Sequence, residues 1–169
     1  MKILIADFRS KQRLYCQDGH KCSLLRAVLT DGTSAVLLYR LQSLLVTARL
    51  VPLALVVQVI NKWFNGCMIG LRASFGPGLV LVHPVGVVIN SAVRTGANVW
   101  IQSGVVIGEN RGKSPVLGNN VFIGSGAKVI GGISLGDDVR VGANSVVLND
   151  VANGVTVVGI PARLLKANL

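Results

Sequence analysis

A six-residue repeat runs through the second part of the chain and limits the possible folds more strongly than any other feature of the sequence. From about residue 66 onward an aliphatic side chain recurs at nearly every sixth position, and glycine often follows it directly. A short, fixed period is typical of solenoids, and a period of six residues indicates a β-helix. The repeat positions are Ile69, Phe75, Leu81, Val87, Thr95, Ile101, Ile107, Leu117, Ile123, Val129, Leu135, Val141 and Val147.

Each repeat predicts one short strand and a corner, so three repeats close one triangular coil and the series makes about four coils. The aliphatic side chain points inward and stacks on its equivalents in neighbouring coils. Glycine, asparagine and aspartate suit the corners because they accept left-handed backbone angles, and we place the pairs Asn119-Asn120 and Asp137-Asp138 there. The alternative is a β-sandwich, whose turns come every ~8–12 residues and would not keep a six-residue phase.

The first part of the chain has a helical rhythm instead. Between about residues 24 and 64, apolar residues recur three and four positions apart, which predicts helices that pack on another element. Asp31-Gly32 interrupts this pattern, and Thr33 or Ser34 is placed to cap the helix that follows. Pro52 suits the first turn of a further helix.

Together the two rhythms predict a mainly β protein, a parallel β-helix of hexapeptide repeats with a small helical N-terminal lobe. We expect the lobe at residues 1–65, the β-helix domain at residues 66–160 and a C-terminal tail at residues 161–169. The lobe would cover the first coil and hide its open strand edge, which solenoids need to protect.

The formal net charge of the chain is +10, and the basic residues are spread out rather than grouped in blocks. A basic surface favours anionic partners such as nucleotide phosphates, acidic glycans, nucleic acid or an anionic membrane face. No motif of an RNA- or DNA-binding fold is present, so we do not expect a nucleic-acid partner. A peripheral membrane contact by residues 36–60, flanked by Arg40, Arg49 and Lys62, stays open at this point.

The cysteines and the apolar segments indicate in which cellular compartment the protein is found. Cys16, Cys22 and Cys67 are an odd and sparse set, which fits a reducing compartment better than a disulfide framework. The start of the chain lacks the long apolar segment of a signal peptide, and the longest apolar run, Leu50–Ile60, is too short to span a bilayer. These features predict a cytoplasmic protein, either free or at the inner face of the membrane.

Three stretches of the sequence resemble a known family: "FGPGLVLVHPVGVVINSAVRTGANVWIQSGVVIG", "PVLGNNVFIGSGAKVIGGISLGDDVRVGANSVV" and "VVGIPARLL". They are similar to the hexapeptide-repeat acyltransferases, and most similar to the serine acetyltransferase-like branch, over residues of about 64–166. The resemblance implies a left-handed parallel β-helix that assembles as a homotrimer. It also implies transfer of an acetyl group from acetyl-CoA, as co-substrate, to a hydroxyl.

One histidine, His83 in "LVHPV", matches the general base of that family. The chemistry is reasonable because an imidazole with an ordinary pKa near ~6.5 can accept the hydroxyl proton as attack on the thioester begins. Backbone N–H groups at the corners of the coils are suited to hold the developing oxyanion. From the residues alone, a structural histidine in the wall of the β-helix is an equal alternative.

The resemblance also implies a binding groove for acetyl-CoA between neighbouring subunits. The basic side chains Lys128, Arg163 and Lys166, with Arg111 and Lys113 on a long loop, are candidates to meet the CoA phosphates, although a solvated surface charge is the alternative for each. The positions that match the family's CoA contacts are Gly108, Ser125, Gly126, Ala127, Lys128, Ala143, Pro161, Ala162 and Arg163.

The acceptor site departs from the pattern of serine acetyltransferases. Val82 and Met68 stand where those enzymes carry acids, and Lys113-Ser114-Pro115 replaces their Arg-His-Pro. We therefore expect a sugar hydroxyl in exopolysaccharide or capsule biosynthesis as the acceptor, with Lys113 and Ser114 as substrate-binding residues. One alternative is L-serine in cysteine synthesis, which predicts inhibition by cysteine and an acidic residue in the acceptor pocket, and the sequence shows none near His83. The other is a structural β-helix scaffold without catalysis.

Two short motifs suggest other chemistry but do not fit it. "GENRGKS" at residues 108–114 has one residue too few between its glycines for a phosphate-binding P-loop, and a proline follows it. "CQDGHKC" at residues 16–22 groups cysteine, aspartate and histidine with a spacing that matches no common zinc site. We expect no metal site.

Overall fold

The computed structural model describes residues 2–16 and 30–165. In these ranges the chain forms three helices, α1 (Lys2–Cys16), α2 (Thr33–Thr47) and α3 (Val51–Asn65), followed by fourteen short strands. The strands are β1 (Met68–Ile69), β2 (Val80–Leu81), β3 (Val88–Ile89), β4 (Arg94–Thr95), β5 (Trp100–Ile101), β6 (Val106–Gly108), β7 (Val116–Leu117), β8 (Phe122–Ile123), β9 (Lys128–Ile130), β10 (Ser134–Leu135), β11 (Arg140–Val141), β12 (Val146–Val147), β13 (Thr156–Val158) and β14 (Arg163–Leu164).

The strands form three parallel sheets that the chain visits in turn, as a β-helix requires. The first sheet has the order β1-β3-β6-β9-β12, the second β4-β7-β10, and the third β2-β5-β8-β11-β13-β14. Only the last pair, β13 and β14, is antiparallel among the strands of the described chain. The predicted fold class, a parallel β-helix of hexapeptide repeats preceded by helices, is confirmed.

The register places equivalent repeat positions directly above one another. Leu81 pairs with Ile101, Ile101 with Ile123, and Ile123 with Val141, and all four side chains are fully buried. This stacking gives a thin aliphatic core, so a strand of two or three residues is long enough. The inward aliphatic column predicted from the repeat is therefore present.

Polar ladders stack at the corner between the second and third sheets. Asn98, Asn120 and Asp138 adopt left-handed backbone angles, with φ of 56°, 56° and 60°. The amide of Asn98 donates to Asn120 Oδ1 at 3.0 Å, and the amide of Asn120 donates to Asp138 Oδ1 at 3.0 Å. These residues both accept the strained corner geometry and join one coil to the next.

The helical lobe is attached to the first coil by a buried ion pair. Asp7 of α1 and Arg40 of α2 are joined by two hydrogen bonds of 2.9 and 3.0 Å, with side-chain exposures of 4% and 8%. Asp7 Oδ1 also accepts the backbone N–H groups of Gly78 and Leu79 at 2.8 and 2.9 Å, and Arg40 donates to the carbonyl of Phe75 at 2.7 Å. Both charges are thus hydrogen-bonded to the β-helix, which compensates their burial.

A second contact of α1 lies further along the helix. The indole N–H of Trp100 on β5 donates to Ser10 Oγ at 2.9 Å. The helix therefore packs along the third sheet.

The start of α2 differs from its sequence prediction. The break at Asp31-Gly32 is confirmed, but the residue before the helix is Gly32, at φ 84°, and no side chain caps the helix. A Cβ on Gly32 would lie 1.9 Å from the carbonyl oxygen of Leu81, so the turn needs glycine because it packs against β2. The prediction that Thr33 or Ser34 caps α2 is wrong, whereas Pro52 does lie in the first turn of α3.

Among the residues the structure describes, no helix has both the length and the apolar character needed to cross a membrane. Helix α3 nevertheless exposes several large apolar side chains, the most exposed being Trp63 and Phe64 at 80% and 85%.

Candidate active site

His83 lies at the corner where the chain passes from the third sheet to the first. It follows β2 by two residues and has a left-handed backbone, with φ of 53°. Its side chain is 66% exposed, unlike that of a histidine packed in the wall of the β-helix. The imidazole is therefore accessible to molecules from solvent.

The same corner recurs in each coil below His83 and forms a continuous edge, which we call the His83 edge (residues 83–86, 103–104, 125–126 and 143–144). The backbone N–H of Gly104 donates to Val85 O at 2.9 Å, that of Gly126 to Ser103 O at 2.8 Å, and that of Asn144 to Ser125 O at 2.8 Å. Three of the predicted CoA-binding residues, Ser125, Gly126 and Ala143, lie on this edge. Ala127 directly follows it but is fully buried in the aliphatic core, so its side chain is not available to CoA.

Lys128 adds a positive charge to the His83 edge. Its ammonium donates to the carbonyls of Gly104 and Gly126 at 2.8 and 2.9 Å. Beside it, Ser125 donates from both its backbone N–H and its hydroxyl to Gln102 Oε1, at 3.1 and 2.8 Å. The side chains of Lys128 and Gln102 therefore fix the backbone of the His83 edge by hydrogen bonds.

The predicted tail residues lie at the lower end of the same edge. The N–H of Ala162 donates to Val146 O at 2.8 Å, and the N–H of Val146 donates to Gly159 O at 3.0 Å. Pro161 and Arg163 flank Ala162 and are exposed. Lys166, a further candidate for the CoA phosphates, lies outside the described residues.

Gly108, Lys113 and Ser114 lie across the first sheet from His83. Gly108 ends β6, and the hydroxyl of Ser114 donates to Asn90 Oδ1 at 3.1 Å just beyond the end of β3. Because about five residues of extended chain separate the two edges, they are roughly 15 Å apart. Within one chain the structure therefore does not bring Lys113 or Ser114 next to His83.

An acid does lie beside His83, but it is one that the sequence analysis missed. Asp31 Oδ2 is 3.1 Å from His83 Nδ1, although the two residues are 52 positions apart in the chain. Asp31 belongs to the turn before α2, where the sequence indicates only a break in the helical pattern. Its neighbour Gly32, which is required for close packing on β2, was the only local signal that this turn approaches the β-helix.

The pair lies in an open cleft of ≈ 160 Å³. Among the described residues that line it, Asp31 and His83 are the only ones with titratable side chains. The lining consists of Asp31, Gly32, Ser34, Phe64, Asn65, His83, Pro84 and Val85. The cleft thus joins a base, a carboxylate and an exposed aromatic ring at the top of the His83 edge.

Other reactive groups in the described chain are not arranged for chemistry. Cys67 is buried, and desolvation raises the pKa of its thiol to about 12, which makes it a poor nucleophile. Across residues 2–16 and 30–165 no three histidine, cysteine or acidic side chains are grouped as metal ligands. The segment 16–22, where a metal site was considered, falls almost entirely outside the described residues.

Comparison with known proteins identifies relatives of the whole arrangement. Residues 114–149 match the family model described as bacterial transferase hexapeptide (six repeats). The serine acetyltransferase of Helicobacter pylori strain J99 is 41% identical over 142 residues, which cover 82% of this chain and 83% of that protein. The serine acetyltransferase of Synechococcus elongatus is 36% identical, with 97% of this chain and 68% of that protein covered.

Solved structures agree with these relatives. Soybean serine acetyltransferase without ligands superimposes with a TM-score of 0.86 at 31% identity, over 97% of this chain and 68% of that one. A serine acetyltransferase in complex with CoA gives a TM-score of 0.89 at 28% identity, over 97% of this chain and 68% of that one. The similarity therefore includes the helical lobe as well as the repeats.

The fold and the site define a β-helix acyltransferase of the hexapeptide-repeat class. Within that class the chain belongs to the serine acetyltransferase family, whose members use acetyl-CoA as co-substrate. The relatives favour the serine alternative over the expectation of a polysaccharide acceptor, for which the comparisons offer no support.

Proposed function

We propose that this protein acetylates the hydroxyl of L-serine with acetyl-CoA, and that His83 is the general base. The observation that carries this proposal is the exposed pair of His83 and Asp31 at the top of the His83 edge. The serine alternative predicts an acidic residue in the acceptor pocket, and Asp31 is such a residue, contributed from outside the β-helix. The relatives that match most of the chain are named serine acetyltransferases, which supports L-serine as the acceptor.

The reaction needs one proton to be moved as one bond forms and another breaks. His83 Nε2 accepts the proton of the serine hydroxyl while the oxygen attacks the thioester carbon. The new C–O bond forms, the C–S bond breaks, and the proton passes from the imidazolium to the CoA thiolate. A positioned base of this kind accelerates such a transfer by about 10²–10⁴-fold.

We place acetyl-CoA along the His83 edge. Ser125, Gly126 and Ala143 offer a narrow surface of small residues on which a pantetheine chain can lie, and Lys128 adds positive charge. Pro161, Ala162 and Arg163 continue this surface at the lower end, where the guanidinium of Arg163 is available to a phosphate. Gly108 lies on the opposite edge of the first sheet, so it would reach this acetyl-CoA only from a neighbouring subunit.

The acceptor is an amino acid in this proposal, and the charges of the site suit one. Asp31 gives the cleft a negative charge that attracts the ammonium of serine. Lys113 is exposed and can meet the serine carboxylate, with Ser114 beside it, but both lie on the opposite edge of the first sheet. A complete site therefore needs the Lys113 loop of a second copy.

We propose a homotrimer for this reason. In a three-fold assembly, the His83 edge of one subunit can face the Lys113 edge of the next. The exposed apolar face of α3, with Trp63 and Phe64, gives additional surface that association can bury. Phe64 also lines the cleft, so such an interface would adjoin the site.

The test is release of CoA thiol from acetyl-CoA, measured in parallel with L-serine and with a panel of nucleotide sugars and oligosaccharides. We expect turnover with L-serine that falls by about 10²-fold or more in His83→Ala. His20→Ala is the matched control, since the chain has two histidines, and it should retain activity.

The other outcomes separate the alternatives. Turnover only with a saccharide would contradict serine as the acceptor and restore the polysaccharide hypothesis. Turnover with L-serine that survives His83→Ala would remove His83 as the base. No turnover with any acceptor, together with no binding of acetyl-CoA by calorimetry, would leave the structural scaffold as the better account.

A further inference from the structure

The turn that carries Asp31 is fixed to the rest of the molecule on two sides. On one side Gly32 packs directly on the backbone of β2, where a Cβ would lie 1.9 Å from Leu81 O. Leu81 is two residues before His83, so the turn contacts the strand that leads into the catalytic corner.

On the other side the turn is held by a lysine of α1. The Lys11 ammonium donates to the carbonyls of Thr30 and Asp31 at 3.0 and 2.7 Å and to the hydroxyl of Thr33 at 2.5 Å. Lys11 is only 5% exposed. All three hydrogen bonds come from one buried ammonium, and charge-assisted bonds of this kind are about twice as strong as neutral ones, so they hold the turn in place.

This restraint matters because the pair it serves is exposed. Asp31 and His83 have side-chain exposures of 74% and 66%, and pairs of this kind contribute only about 0–1 kcal/mol when both partners are free to move. The contact can hold an imidazole in one orientation only if the carboxylate is already in place. Lys11 and Gly32 provide that preorganisation.

We infer that Asp31 is the positioning residue of His83, and that Lys11 holds the Asp31 turn so that His83 keeps its proton on Nδ1. The inference rests on the proposed function. With Nδ1–H donated to Asp31 Oδ2, the lone pair of Nε2 is left to receive the hydroxyl proton. The acid thus comes from the helical lobe, while Met68 and Val82 occupy the β-helix positions where the family resemblance places acids.

The first experiment reads the proton position without using catalysis. Long-range ¹H–¹⁵N spectra of the imidazole are recorded in a His20→Ala background, where His83 is the sole histidine, at about pH 8, above the ordinary histidine pKa of ~6.5. We expect the Nδ1–H form in the unaltered site and a shift toward the Nε2–H form in Asp31→Ala. Asp138→Ala, which removes an exposed carboxylate at another corner, is the control and should leave the spectrum unchanged.

The second experiment uses steady-state kinetics. Asp31→Ala should lower kcat by about 10–100-fold, by analogy with the loss of carboxylates that orient metal-bound histidines, and should leave KM for acetyl-CoA unchanged. Lys11→Met should also lower kcat, although Lys11 contacts neither substrate in this proposal. The spectrum of this variant should show a mixture of the two imidazole forms. Arg13→Met, an exposed cation on the same helix, is its control and should match the unaltered enzyme.

The results distinguish this inference from the proposed function. An Nε2–H imidazole in the unaltered site, or an identical spectrum in Asp31→Ala, would overturn the inference whatever the activity. The expected spectra without turnover on L-serine would uphold the inference and overturn the acceptor. If Lys11→Met has the spectrum and kcat of the unaltered enzyme, the role of Lys11 is refuted.

Discussion

At the scale of single residues, the buried Lys11 is important because it holds the Asp31 turn in place. The environment of Lys11 also changes the pKa of its own side chain. Burial lowers the pKa of its ammonium to about 8, and the nearby charge of Asp31 opposes that change. The ring of Tyr15, 6.0 Å from Lys11 Nζ, is the other group that faces it from α1.

This shift predicts a stability that depends on pH. Between pH 8 and the ordinary lysine value of 10.5, the unfolded chain binds a proton that the native protein has released. The free energy of unfolding contributed by Lys11 therefore rises with pH across this window. Lys11→Met removes this rise, so its destabilisation should be greater near pH 10 than near pH 7.

Urea unfolding of both proteins at the two pH values measures this difference. Arg13→Met should show the same effect at both pH values, because it removes a charge from α1 without removing a buried titrating group. An equal loss in Lys11→Met at pH 7 and pH 10 would show that burial does not shift this lysine.

At the scale of elements, the lobe and the β-helix depend on one another through Asp7 and Arg40. The ion pair joins α1, α2 and the backbone of the first coil, and its members have side-chain exposures of 4% and 8%. Asp7→Ala should lower the free energy of unfolding by about 3–5 kcal/mol, since it leaves the charge of Arg40 buried without a partner.

Chemical denaturation followed by circular dichroism checks this expectation. Asp138→Asn is the comparison, and as an exposed substitution that keeps the Oδ1 acceptor and tolerates the left-handed backbone it should change stability by about 0.5 kcal/mol or less. A loss of under about 1 kcal/mol in Asp7→Ala would mean that the lobe is held mainly by its other contacts with the β-helix, such as that of Ser10 with Trp100.

The turn that precedes α2 gives a second element-scale prediction. Gly32→Ala places a Cβ against Leu81 O and also forces alanine to φ 84°. Gly154 has a similar φ of 71° but no atom within 4 Å of its would-be Cβ. Gly154→Ala thus isolates the backbone strain, which is typically about 1 kcal/mol.

We expect Gly32→Ala to destabilise the protein more than Gly154→Ala in thermal unfolding, and to lower kcat as well because the Asp31 turn must move. Equal losses of stability in the two variants would show that the turn does not pack on β2 as closely as the structure indicates.

At the scale of the whole molecule, the β-helix separates the parts of the site and the proposed trimer reunites them. His83 and Lys113 lie on opposite edges of the first sheet, so each complete site would take one from each of two neighbouring copies. Mixed trimers of His83→Ala and Lys113→Ala should therefore regain activity that neither variant has alone.

With equal amounts of the two chains and random assembly, about one site in four has both intact residues, so about a quarter of normal activity is expected. The measurement is thiol release after co-refolding, with sedimentation to establish the three-fold mass. Activity no higher than that of the separate variants would place both residues of a working site in one chain, or make Lys113 dispensable.

The sequence by itself determined the part of the protein that is periodic. A strand position such as Ile101 pairs with its equivalents one coil away on each side, so a local pattern repeated at six residues is enough to specify the coils, their inward columns and the polar corners at Asn120 and Asp138. The same periodicity places His83, Ser125 and Ala143 on one edge, whereas their assignment to the site came from the family resemblance and stays a prediction.

Only the tertiary structure decided how the acid reaches the histidine. The contact between Asp31 and His83 spans 52 positions and belongs to no repeat. It depends on how the lobe docks, which is set by Asp7 with Arg40, by Lys11, and by the fit of Gly32 on β2. These are single long-range contacts between a helical and a β segment, and a pattern within either segment carries no information about them.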